Sequence, residues 1–142
     1  MDESLLIALQ AELQGLNENN KVGKILNCLA LLRKSAPEGS WFGFYVDDGS
    51  LLRLSYFQGT PACEEIAYGK GVVGVCYKTG EEQIVDDVQK FPGYICCDAS
   101  AASEYCLKVG NAVFDVDYPL GKKTREDALI LKKAGILLGS IL

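Results

Sequence analysis

The chain runs to 142 residues, 49% of them hydrophobic and 23% charged, with a net charge of −5 and no histidine. That length suits one domain over residues 1–142, and the acidic balance argues against nucleic acid or an anionic membrane as partner. Without an imidazole neither a Ser-His-Asp triad nor a Cys-His dyad can form, so proton transfer falls to carboxyl, lysine, tyrosine or thiol groups.

No apolar run approaches the roughly eighteen residues of a membrane span, and the opening MDESLLIALQ lacks the basic region of a secretory leader. The six cysteines, at 28, 63, 76, 96, 97 and 106, therefore read as reduced thiols of a cytoplasmic protein rather than as a disulfide framework. There is no CxxC pair, and a zinc set without histidine would need scattered thiolates and carboxylates, so neither a metal nor a bound cofactor is expected.

Leu5, Leu6, Leu9, Leu13 and Leu16 recur at helical spacing, and the asparagine-rich stretch 17–20 ends that helix. Val22, Ile25, Leu26, Leu29 and Leu32 predict a second helix that stops before Pro37 and Gly39. The middle reads as antiparallel sheet, with a strand over 40–46, a turn at Asp48-Gly49 and a returning strand over 51–57. In the first strand Trp41, Gly43 and Tyr45 share one face, and Phe42, Phe44 and Val46 the other. One aromatic face can pack in the core while the other lines a pocket. Residues 66–75 suit a glycine-rich loop entering a short helix near 72–77, followed by a brief strand over 83–85. Residues 86–103 form a long segment without periodicity, of the kind that carries function. A hairpin over 104–108 and 112–117 turns at Gly110-Asn111, and a last helix begins after Thr124, whose side chain is positioned to cap it. The class is α+β, a central antiparallel sheet flanked by N-terminal and C-terminal helices.

Asp115 and Asp117 lie two apart on a strand and point to one face, where mutual repulsion raises the proton affinity of at least one. Spacing alone favours a solvated strand face near a sheet edge for this pair, and a terminus facing water for Glu104. Across the predicted hairpin all three could meet, and three carboxylates together suit a ligand's ammonium group or proton donation. Cys28, Cys76 and Cys106 read as small buried hydrophobes. Cys97, beside Asp98 in the long segment, and Cys63, after Thr60-Pro61, are loop sulfurs, for which reactive thiol and packed side chain both remain open. Trp41, the single tryptophan, reads as a core anchor or as a pocket wall.

The segments SWFGFYVDDG, FQGTPACEEIAYGKGVVG, VDDVQKFPGYICCDASAASE and FDVDYPL together resemble the free methionine-(R)-sulfoxide reductases, enzymes built on a GAF domain, over almost the whole chain. The resemblance implies that Cys97 attacks the sulfoxide sulfur of free methionine-(R)-sulfoxide and that Cys63 resolves the product as a disulfide. It further implies that Trp41 and Tyr45 wall the pocket, with Asp98 beside the attacking sulfur. Glu104, Asp115 and Asp117 would then bind the ammonium group and supply a proton. A thioredoxin-like reductant and a homodimer follow from the same resemblance. The chain departs from the family pattern in three places. Val73 stands where a third cysteine is usual, the hairpin between Glu104 and Asp115 is shorter, and Tyr94 replaces a frequent histidine. The valine reduces the implied relay to Cys97 and Cys63. It also keeps in view a non-catalytic GAF domain that binds or senses a small molecule, and a general thiol redox sensor is a third reading.

Overall fold

The computed structural model describes all 142 residues. In chain order the elements are α1 (Glu3–Glu12), α2 (Lys21–Lys34), β1 (Trp41–Asp47), β2 (Leu52–Gln58), β3 (Glu65–Ile66), α3 (Gly71–Thr79), β4 (Gln83–Val85), β5 (Ser103–Val109), β6 (Ala112–Tyr118) and α4 (Ala128–Gly139). Short 3-10 turns occupy Val88–Lys90 and Thr124–Asp127. The strands form one sheet in the order β3-β2-β1-β6-β5-β4, every neighbouring pair antiparallel, so β1 and β6 are its centre. No helix is long and apolar enough to cross a membrane.

Strand alternation divides the interior into two cores. Phe42, Phe44, Phe114, Val116 and Tyr118 face α1, α2 and α4, meeting Leu9, Ile25, Leu29, Leu32, Leu131 and Leu138. Trp41, Tyr45, Cys106 and Val113 face the other way, onto Val72, Val73 and Cys76 of α3. The expected sheet, its flanking helices and the β5–β6 hairpin are all present. The two-residue strand β3 and the separation of the sheet into two cores lay outside the sequence reading.

Three local expectations are corrected. The first helix ends at Glu12 rather than running to Leu16. Val22 is 55% exposed, because α2 turns Ile25, Cys28, Leu29 and Leu32 inward instead. Thr124 caps nothing: its buried hydroxyl has no hydrogen-bond partner, and α4 starts only at Ala128, after the 3-10 turn. Glu126 caps that turn, accepting the Lys123 N–H at 2.8 Å.

Asp127 lies buried where that turn meets α4. Its carboxylate accepts the Tyr118 hydroxyl at 2.7 Å, the Met1 amine at 3.0 Å and Lys122 Nζ at 3.0 Å. Burial opposes ionisation, but these three donors outweigh it and hold the carboxyl below its usual range. A carboxyl depressed on folding adds stability above its unfolded value and loses it as pH falls through its folded value. Asp127→Ala strands the Tyr118 hydroxyl and the amine, and should cost about 3 kcal/mol in urea unfolding at neutral pH. The deficit should shrink as the medium is acidified.

Candidate active site

The pairing of the three central strands sets the floor of the site. Trp41 sits opposite Asp117, and Asp117 opposite Glu104; one row along, Gly43 sits opposite Asp115, and Asp115 opposite Cys106. All six positions share one sheet face, since strand side chains repeat every second residue. The expectation of a solvated setting is overturned for Asp115 and Glu104, while Asp117 is half-buried. β6 is a central strand, and Asp115 and Glu104 are only 5% and 6% exposed.

Gly43 makes room for the tryptophan. A Cβ there would come within 2.6 Å of both Trp41 Cη2 and Phe57 Cβ. The indole stacks on Phe57 at a centroid distance of 5.4 Å and donates its N–H to the Thr60 carbonyl at 2.9 Å. The Tyr45 hydroxyl donates to the Cys63 carbonyl at 2.8 Å. Trp41 is therefore both core anchor and pocket wall, and the polar tips of the two aromatics hold the loop that carries Cys63.

Cys63 and Cys97 are joined as a disulfide across Cα atoms 5.2 Å apart. Asp98 staples the same junction. One of its oxygens accepts the Ser100 N–H at 2.9 Å and hydroxyl at 2.7 Å, and the other accepts the Thr60 hydroxyl at 3.2 Å. Cys28, Cys76 and Cys106 are buried as expected, and Cys96 is exposed.

These elements enclose one cavity. Trp41, Tyr45, Cys97, Asp98, Glu104, Asp115 and Asp117 all line it, together with Tyr94 and Ile95 from the long segment and Val72 and Val73 from α3. Cys63 reaches it only through its bond to Cys97. Val73 occupies the place where the resemblance expects a third cysteine. Cys76, one turn on, is buried but does not line the cavity.

The electrostatics follow from burial. Desolvation, then the charges of Asp115 and Asp117, pushes the Glu104 carboxyl well above its usual range. Desolvation and Asp115 do the same to Asp117. Asp115 is raised by burial too, but hydrogen bonds from Glu104 and Cys106 pull it back. The group thus holds protons at a pH where free carboxyls hold none.

Cys106 belongs to this group, which sequence reading missed. Its Sγ lies 3.3 Å from Asp115 Oδ1 and 3.5 Å from Glu104 Oε2. The available signal was its spacing of two from Glu104 on one strand. The donor atoms of Glu104, Cys106 and Asp115 lie within 4.8 Å of one another. A thiol binds metal as thiolate, however, and burial with the neighbouring carboxylates pushes this one well above the ordinary thiol range. The set therefore suits a hydrogen-bonded acid cluster better than a metal site.

The free methionine-R-sulfoxide reductase of Escherichia coli is 34% identical over 131 residues, covering 88% of this chain and 79% of its own. The chain belongs to the free methionine-R-sulfoxide reductase family. Protein YtsP of Bacillus subtilis is 39% identical over 129 residues, covering 85% of this chain and 78% of its own. The free methionine-R-sulfoxide reductase of Neisseria meningitidis, solved in complex with its substrate, matches with a TM-score of 0.78 at 27% identity, covering 96% of this chain and 84% of that one. A solved GAF domain matches with a TM-score of 0.78 at 32% identity, covering 99% of this chain and 86% of that one. No protein-family model matches. This family member accordingly has the GAF fold, α+β with an antiparallel six-stranded sheet.

The wall makes a direct prediction. Gly59 has φ +143, and a Cβ there would collide with Trp41 Cδ1. Gly59→Ala should displace the indole, moving the emission of the single tryptophan to longer wavelength and lowering the unfolding free energy by about 2 kcal/mol.

Proposed function

We propose that the protein reduces free L-methionine (R)-sulfoxide to methionine. The observation that carries this reading is the closure of a Cys63–Cys97 disulfide at a cavity floored by three carboxylates, two of them buried, and walled by a tryptophan. The relatives named for that activity support it.

In the proposed cycle the Cys97 thiolate attacks the sulfoxide sulfur while a protonated carboxyl of the Glu104/Asp115/Asp117 set gives its proton to the sulfoxide oxygen. The hydroxyl then passes from the substrate's sulfur to that of Cys97 as the substrate's sulfur–oxygen bond and the newly formed sulfur–sulfur bond break, so methionine leaves and Cys97 becomes a sulfenic acid. The Cys63 thiol then attacks that sulfur, a sulfur–sulfur bond forms, and water departs. A thioredoxin-class dithiol reduces the disulfide by exchange and is itself oxidised. The proton released when Cys97 ionises again returns to the carboxyl set.

Recognition divides between the two ends of the amino acid. The carboxylates take the ammonium group, and Trp41 holds the sulfoxide methyl. The first N–H groups of α3, from Gly71 to Val73, precede its helical bonding and face the requirement of a substrate carboxylate. A peptide's methionine sulfoxide lacks both charges, so selectivity for the free amino acid follows. Disulfide reduction regenerates the Cys97 thiol at the cavity for the next substrate. The reading places the enzyme in the cytoplasm as a homodimer.

Val73, in place of a third cysteine, favours a second reading in which the domain binds its ligand without chemistry. The deciding experiment supplies each epimer of free methionine sulfoxide with thioredoxin, its reductase and NADPH. Methionine should form from the (R) epimer alone, and Cys97→Ser should abolish it. Turnover by Cys97→Ser would refute the mechanism. Binding without turnover, and without a Cys63–Cys97 disulfide appearing by mass spectrometry, would establish the sensor.

A further inference from the structure

The proposed cycle uses Cys97, Cys63 and a carboxyl proton but leaves Cys106 idle, although its sulfur sits inside the acid cluster. Cys106 is fully buried. It projects from β5 on the same face as Glu104 and stands directly across from Asp115. A thiol has one hydrogen and two possible acceptors here, Asp115 Oδ1 at 3.3 Å and Glu104 Oε2 at 3.5 Å. The shorter contact and the chemistry agree. Asp115 accepts from the thiol, while a protonated Glu104 has a hydrogen of its own to give to Asp115.

Other groups packed against the cluster do not compete for this role. From β1, the Tyr45 hydroxyl is committed to the Cys63 carbonyl, and its phenol is pushed far up by burial and by Asp115. From α3, the Cys76 thiol is pushed up to about 12 by burial and by Asp115. From the long segment, Tyr94 is raised by burial and by Glu104, and Asp98 is occupied by Ser100 and Thr60. Lys70, also at the cavity, is exposed. Asp117 is the one further carboxyl in the set, and it sits across from Glu104 rather than Cys106. Cys106 is therefore the neutral donor placed to distinguish one carboxyl from the others.

We propose that Cys106 is a positioning residue of this site: its S–H, directed at Asp115, keeps Asp115 as the carboxylate and leaves the transferable proton on Glu104. The inference rests on the reductase reading for its role in turnover. When Cys97 adds to the sulfoxide sulfur, Glu104 gives up its proton to the departing oxygen. Asp115, ionised throughout, holds the substrate ammonium. The sulfur of Cys106 is neither oxidised nor reduced.

The test compares Cys106→Ser, which retains a donor, with Cys106→Val and Cys106→Ala, which remove it. The alanine variant only deletes atoms and guards against strain from the valine. In the reduced protein, NMR of aspartate labelled at the side-chain carboxyl carbon follows the titration of Asp115, assigned through Asp115→Asn. Losing the donor destabilises the carboxylate form, so the Asp115 midpoint should rise by about one pH unit in the valine and alanine variants and stay in place in serine. With free L-methionine (R)-sulfoxide and dithiothreitol, the acid limb of kcat/KM should move up by the same amount, an approximately tenfold loss below the limb that vanishes above it. An unmoved Asp115 midpoint in all three variants, or a serine variant that behaves like alanine, would overturn the proposal. If the midpoints move as stated but the wild type reduces no sulfoxide, the proton placement stands and the reductase reading falls. An active wild type with unmoved midpoints removes only the role of Cys106.

Discussion

Three carboxyl groups share one face of a hairpin, two of them buried and the third half-buried, and their mutual repulsion governs the site. Glu104, Asp115 and Asp117 cannot all ionise there without either a proton or a cation among them. Both requirements coincide with what a sulfoxide reductase for a free amino acid needs. A retained proton can go to the departing oxygen, and an arriving ammonium group relieves the remaining charge. In the proposed reading the cluster is costly when empty and is satisfied by the substrate's ammonium group, which would favour a zwitterionic ligand.

The surrounding fold keeps those charges in place and brings the sulfur chemistry to them. Central strands β1 and β6 supply a rigid floor, and the glycine at 43 lets the Trp41 ring lie across it. The indole and phenol tips fix the Thr60 and Cys63 carbonyls, while Asp98 links Thr60 to the segment that carries Cys97. Two loops distant in sequence are in this way held with their cysteines in bonding reach. The helix-facing core on the opposite side of the sheet, which includes Phe42, Phe44 and Phe114, has no part in this chemistry and holds the platform rigid.

Much of this was legible in the residues because strand alternation is strict. The split of WFGFY into two faces and the common face of Asp115 and Asp117 follow from a period of two, and the Gly110-Asn111 turn gives the hairpin that brings Glu104 near them. Burial was not legible from local spacing. Whether a pair of aspartates is wet or dry depends on strand order, and β6 lies at the centre of the sheet rather than at its edge. Cys106 escaped for a related reason, since an apolar role and an acid-cluster role demand the same small buried side chain. Thr124 misled because its side chain fits a cap, whereas the backbone enters through a 3-10 turn capped by Glu126. The pairing of Cys63 with Cys97 came from family resemblance and not from spacing.

The central claim is that Cys97 takes the oxygen and Cys63 only resolves it. A single-turnover reaction of reduced Cys63→Ser with excess free (R)-sulfoxide and no reductant separates the two steps. The account predicts release of about one methionine per chain, with one oxygen trapped on Cys97 as sulfenic acid by mass spectrometry. Absence of methionine, or an oxygen found on Cys96 or Cys106 with Cys97 unmodified, would contradict it.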